Sequence, residues 1–166
     1  EEFAGGIVAI LETATIENSK NTGNVIGSTN VGGIVAESKG TITQCRNDGQ
    51  VSKVAGVICK TVNLGGIVGK NSEAARLSNS KNYGNVNSET DTLVNLGGIC
   101  GILYNNSIVE LCENNGAISG SGKEIIPNED TNTNCASCTS NNGGSASTDD
   151  FGQLNIGIIY GKYQEI

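Results

Sequence analysis

Histidine, tryptophan and methionine are absent from the 166 residues, and proline occurs once. Without histidine there is no imidazole base for a Ser-His or Cys-His pair and no His-ligated metal centre. Aromatic residues make up only 4% and charged residues 16%. Ten Lys and Arg scattered among seventeen Asp and Glu, for a formal charge of −7, supply no concentrated basic face of the kind nucleic acid requires. No run of about 18 consecutive apolar residues occurs, so no membrane-spanning helix and no membrane insertion are expected. An initiator methionine and a signal peptide are also lacking, so the chain reads as a mature fragment or a segment of a longer repeat protein. Its length suits a single domain over residues 1–166.

What the chain has in abundance is glycine, 24 residues of it, and the glycines recur in a pattern. Ala4-Gly5-Gly6-Ile7-Val8-Ala9 returns as Val31-Gly32-Gly33-Ile34-Val35-Ala36, Leu64-Gly65-Gly66-Ile67-Val68-Gly69 and Leu96-Gly97-Gly98-Ile99-Cys100-Gly101. A worn copy is Ile156-Gly157-Ile158-Ile159-Tyr160-Gly161. The first glycines are 27, 33, 32 and 60 residues apart, and Asn30, Asn63, Asn95 and Asn155 precede the last four copies. A second motif lies between them: Asn21-Thr22-Gly23-Asn24-Val25, Asn47-Asp48-Gly49-Gln50-Val51, Asn82-Tyr83-Gly84-Asn85-Val86 and Asn114-Asn115-Gly116-Ala117-Ile118.

The apolar runs are two to four residues long, rich in Ile and Val and bounded by Gly or Asn, which fits short strands and not helices. A unit of about 30 residues cannot bury its own apolar side, but stacked units form a continuous core. The pattern therefore predicts an all-β fold: a parallel β-solenoid of about five coils, three short strands per coil, roughly 25 Å along its axis. Val25, Val51, Val86 and Ile118 are expected to stack inside as one ladder. Ile16, Ile42, Leu77 and Val109 form a second, and Ile7, Ile34, Ile67, Ile99 and Ile158 a third. Gly23, Gly49, Gly84 and Gly116 mark a corner expected to need positive φ. Asn21, Asn47, Asn82 and Asn114 are expected to hydrogen-bond along the axis. In Leu64-Gly65-Gly66-Ile67-Val68, strict alternation would put Ile67 on the face opposite Leu64 and Val68. Either the double glycine breaks the alternation or one aliphatic column faces outward.

The Asn-x-Gly-x-Val motif followed by Leu-Gly-Gly-Ile-Val-Gly resembles the GLUG repeat over residues 1–118 and 154–166. That resemblance implies a large secreted or surface-anchored bacterial protein, and hence an extracellular or cell-surface setting. It supplies no catalytic residue.

Residues 119–154 break the pattern. They are polar and contain Asn132-Thr133-Asn134, Cys135-Ala136-Ser137-Cys138 and Asn141-Asn142-Gly143-Gly144. With so few apolar residues to fill an interior, they read as a long polar excursion; a worn coil is the alternative, since 60 residues is two repeats. Of the six cysteines, Cys45 and Cys112 share a repeat column with Ser19 and Ser80, two coils apart at about 10 Å, beyond disulfide reach. They read as small inward side chains, and Cys59 and Cys100 as buried thiols. Cys135 and Cys138 lie in the polar stretch and are expected to form a local disulfide in an oxidising compartment.

The search for chemistry yields little. Glu37, Asp48, Glu73, Glu89 and Asp91 fall in different columns and read as solvated turn residues, not as a glycosidase pair. Arg46 and Arg76 read as surface charges. Glu129-Asp130 and Asp149-Asp150 could attract calcium, but no calcium-loop motif surrounds them. Tyr83, Tyr104, Tyr160 and Tyr163 occur singly, as core or rim packing. Thr13-x-Thr15 and Thr41-x-Thr43 begin a hydroxyl ladder that ends after two coils. No catalytic, cofactor-binding or metal residue is assigned, and no cofactor is expected. The function expected is that of a non-enzymatic extracellular surface module: a stalk, adhesin scaffold or filament subunit. Its partners would be the same or neighbouring solenoid subunits through the coil ends, with host or matrix glycans and proteins as further candidates. The alternative is a carbohydrate-active enzyme or glycan-binding domain on the same scaffold.

Overall fold

A computed structural model describes the backbone of residues 3–72, 74–88, 93–104, 106–127, 135–136, 138–140, 144–157 and 160–164; side chains are described within these ranges up to residue 120, Leu93 excepted, and at Cys138. Every described element is a strand, and every pairing between strands is parallel. The chain is a parallel β-solenoid.

The first winding sets the pattern: Phe3–Gly5, Val8–Leu11, Thr15–Glu17, Lys20–Asn21 and Val25–Gly27. Each winding is thus divided into five short strands instead of the expected three. The finer division follows from the tight corners, which leave runs of only two to five residues in the first three windings. The Val8, Thr15 and Lys20 strands each begin a five-stranded stack. The Phe3 and Val25 strands begin two stacks that merge into one nine-stranded sheet, because the long strand Gly144–Gly157 serves both.

The expected ladders form. Val25, Val51, Val86 and Ile118 are in register, as are Ile16, Ile42, Leu77 and Val109. The core divides in two. One cluster gathers Ile34, Ile67 and Ile99 with Ile42, Leu77 and Val109. The other gathers Val31, Leu64 and Leu96 with Val51, Val86 and Ile118. Leu64, Ile67 and Val68 are all fully buried, so the double glycine breaks the alternation and no aliphatic column of this motif faces outward in the inner windings. Ile158 lies outside the described residues.

The glycine corner differs from expectation. Gly23, Gly49, Gly84 and Gly116 do not adopt positive φ; among the described glycines Gly56 alone does, at 74°. What Gly49, Gly84 and Gly116 require is room. A Cβ on Gly49 would fall 2.0 Å from the Gly23 carbonyl oxygen, and one on Gly84 1.8 Å from that of Gly49. Left-handed backbone occurs instead five positions earlier, at Asn18, Gln44, Asn79 and Leu111, with φ between 48° and 53°. The next residue, Ser or Cys, donates to the carbonyl two positions back: Ser19 Oγ to Glu17 O at 2.9 Å, and Cys45 Sγ to Thr43 O at 3.2 Å.

Where it is described, the polar segment 119–154 pairs as a winding and not an excursion. Cys135 pairs with Val109, Thr139 with Glu113, and Gly144 with Ile118. The reason is that strand pairing uses backbone N–H and C=O groups. The edge of the fourth winding offers these whether or not the next side chains are apolar. Residues 124–127 pair with 153–156 on the far side from Leu93–Gly97, so the chain covers part of its own edge there.

Candidate functional site

The interior is held by a column of amides. Asn21 Nδ2 donates to Asn47 Oδ1, Asn47 Nδ2 to Asn82 Oδ1 and Asn82 Nδ2 to Asn114 Oδ1, each at 2.9 Å. Each Nδ2 also donates to the carbonyl of the glycine two residues on, and each Oδ1 accepts that glycine's N–H. The expected ladder is therefore present, and the described bonds leave no buried amide of the column unpartnered. Its location is informative. A Cβ on Gly33 would sit 2.3 Å from Asn47 Cγ, and one on Gly66 equally close to Asn82 Cγ. The amides run as a chord from the Asn-x-Gly corner to the second glycine of the pair, separating the two apolar clusters.

A second, outer ladder runs the opposite way: Asn95 Nδ2 donates to Asn63 Oδ1 at 2.6 Å, and Asn63 Nδ2 to Asn30 Oδ1 at 2.7 Å. Asn30 Nδ2 donates to Glu37 Oε2 at 3.1 Å. The other oxygen, Oε1, accepts from Lys70 Nζ at 2.9 Å and Ser72 Oγ at 3.4 Å. Glu37 is 13% exposed, the most buried acid of the described ion pairs, and Lys70 lies 5.5 Å from the Tyr104 ring centroid. This cluster was not found from sequence. The signal that could have pointed to it is the seven-residue offset from ladder Asn to the charged column, Asn30 to Glu37 and Asn63 to Lys70.

The other sequence candidates stand apart from one another. Asp48 takes Lys20 at 2.8 Å and Arg46 at 2.6 Å. The Arg46 guanidinium beside it, and then Lys20, hold its carboxyl below the ordinary carboxylate range. Arg46 also lies over Tyr83, 4.2 Å from the ring centroid. Arg76 pairs with Glu110 of the next winding, and Lys81 with Glu113 at 2.8 Å. The strand register sets Thr15 beside Thr41 and Glu17 beside Thr43, so the threonine pairs do not align as a hydroxyl ladder. Glu73, Glu89, Asp91 and Glu129-Asp130 lie outside the described residues, and the side chains of Asp149, Asp150, Tyr160 and Tyr163 lie outside those described. No group of three or more metal-ligating side chains occurs among the described residues.

Cys45, Cys100 and Cys112 are free and buried. Burial pushes the thiols of Cys100 and Cys112 up to about 12. Cys59 is free but only half-buried, at the margin of the second cluster, so the expectation of a buried thiol holds there in part. Cys138 packs against the first cluster. The side chain of Cys135, and with it the expected Cys135–Cys138 disulfide, lies outside the described side chains.

By its architecture the chain falls in the class of parallel β-solenoids. No family model, no curated protein and no solved structure matches it.

Proposed function

We propose that the chain is a non-enzymatic, extracellular structural module: a rigid stalk, adhesin scaffold or filament subunit built from GLUG-like repeats. The observation that carries this reading is the use made of charge. Five of the six described ion pairs join residues of neighbouring windings: Lys20–Asp48, Lys39–Glu12, Lys70–Glu37, Arg76–Glu110 and Lys81–Glu113. Charges paired between windings brace the stack, and the buried amides are likewise engaged along the axis.

The partner is a further winding of the same kind stacked on the first, from the same longer chain or from another solenoid subunit. In the inner windings Ile34, Ile67 and Ile99 are fully buried, whereas Ile7 of the same column is 45% exposed. Asn47 Oδ1 and Asn82 Oδ1 each accept an amide from the winding before, and Asn21 Oδ1 stands at the start of that series. A local Cys135–Cys138 disulfide pins the fifth winding in an oxidising setting.

Sedimentation velocity across a concentration series tests the assembly reading. Concentration-dependent association that Ile7→Lys weakens is expected; a monomer at every concentration removes it. Glycan-array binding or polysaccharide cleavage, with and without calcium, would instead favour the carbohydrate-active alternative.

A further inference from the structure

The Glu37 carboxylate holds an amine and a carboxamide at once. Lys70 Nζ is 2.9 Å from Oε1, and Asn30 Nδ2 is 3.1 Å from Oε2. Asn30 belongs to the second winding and Lys70 to the third. Asn30 is 4% exposed, its Oδ1 accepts the Asn63 amide at 2.7 Å, and Glu37 and Lys70 are 13% and 27% exposed. One carboxylate thus holds a nucleophile beside a leaving group, and a fixed donor sits on the carbonyl oxygen that would take up charge.

We propose that Lys70 and Asn30 are a modification site at which an isopeptide bond forms between the two side chains, with Glu37 as the proton carrier. Glu37 takes a proton from the Lys70 ammonium, leaving a neutral amine. The nitrogen lone pair adds to Asn30 Cγ, and the carbonyl π pair moves onto Oδ1, where the Asn63 N–H stabilises it. The protonated Glu37 then gives its proton to Asn30 Nδ2. The Cγ–Nδ2 bond breaks as Cγ=Oδ1 re-forms, and ammonia leaves. Glu37 takes the remaining proton from the new amide nitrogen and passes it to the ammonia, so it ends ionised as it began. One C–N bond forms and one breaks; no oxidant or other reactant is consumed. General acid–base transfer of this kind needs a carboxylate within hydrogen-bond reach of both nitrogens, and Glu37 meets that condition.

The molecule carries its own control. Glu113 likewise holds Lys81 at 2.8 Å and Asn115 at 2.9 Å, but Lys81 is 52% exposed. Water there keeps the ammonium solvated and charged, and no bond is expected.

Intact-mass and tandem mass spectrometry of the purified chain decide the matter. The expected result is a mass lower than the sequence by one ammonia, a cross-linked peptide joining the segments that contain Asn30 and Lys70, and no link at Lys81. Glu37→Gln and Lys70→Arg should each restore the full mass. Lys70→Arg keeps the ion pair with Glu37 and so tests the chemistry in a folded chain. A full-mass wild type overturns the proposal. So does an ammonia loss that maps to a succinimide elsewhere or persists in Lys70→Arg.

Discussion

Two residues bear costs that their own columns do not require. Asn71 is fully buried with neither amide atom partnered, while the residues stacked below and above it in its column include Leu11, Ser38 and Leu103. Removing an unsatisfied buried amide is worth about 1–3 kcal/mol. Asn71→Leu should therefore raise the denaturation midpoint by that order, measured by urea unfolding. Leu111 adopts φ 53° at a position filled by Asn, Gln and Asn in the other windings, and it is 53% exposed. Left-handed backbone costs a residue with a Cβ about 1–2 kcal/mol, less for Asn, which bonds locally. Leu111→Asn should stabilise by about 1 kcal/mol in the same assay. The thiols differ in the same way: a maleimide reagent should modify Cys59 in the native protein and reach Cys45, Cys100 and Cys112 only after unfolding. For Cys100 and Cys112 the folded pKa is raised, so burial as the neutral thiol contributes stability below the unfolded value. That contribution fades as pH rises from about 9 toward about 12.

At the scale of strands and corners, the amide chord and the glycine facing it are one device. Asn82→Ala would remove the side-chain acceptor of the Gly84 N–H, the donor to the Gly84 carbonyl, and one bond each from Asn47 Nδ2 and Asn114 Oδ1. At about 0.5–1.5 kcal/mol for each bond lost, the chain should be destabilised by about 2–5 kcal/mol. Gly66→Ala drives a methyl into the same amide and should be comparably damaging. Circular dichroism with urea titration reads both. These columns were legible in the sequence because in-register stacking turns a recurrence along the chain into a contact in space; Asn47 and Asn82, 35 residues apart, touch. Corner geometry was not legible. Glycine serves equally where φ is positive and where a carbonyl presses close, so Gly49 alone could not tell the two apart. The left-handed column escaped notice because its carboxamides, Asn18, Gln44 and Asn79, lie among many other amides and give way to Leu111 in the fourth winding. The fifth winding stood second to an excursion because backbone pairing leaves no side-chain signature, and the Glu37 cluster escaped because its members sit in different motifs.

For the whole molecule, stability should be graded from end to end. A stack of windings behaves as a chain of nearest-neighbour interfaces, and the first winding has described neighbours on one side only. Hydrogen exchange should find the amide of Ile7 faster than those of Ile34 and Ile67, although all three donate to the next winding. Equal protection at the three would mean that the open face is already covered in solution. Acid should loosen the same end. Asp48, whose folded pKa is lowered by Arg46 and Lys20, contributes stability that is complete above its unfolded value near pH 4 and is lost as pH falls through the folded value. Asp48→Asn should flatten that acid limb of the thermal midpoint, tying the first winding less firmly to the second at neutral pH.

The chord of amides has a mechanical meaning as well. It stands to the two apolar chambers as the web of a girder stands to its flanges. A force applied across the long axis meets hydrogen bonds braced at both corners, so the cross-section keeps its shape and the shaft deflects as one piece before its wall can ovalise.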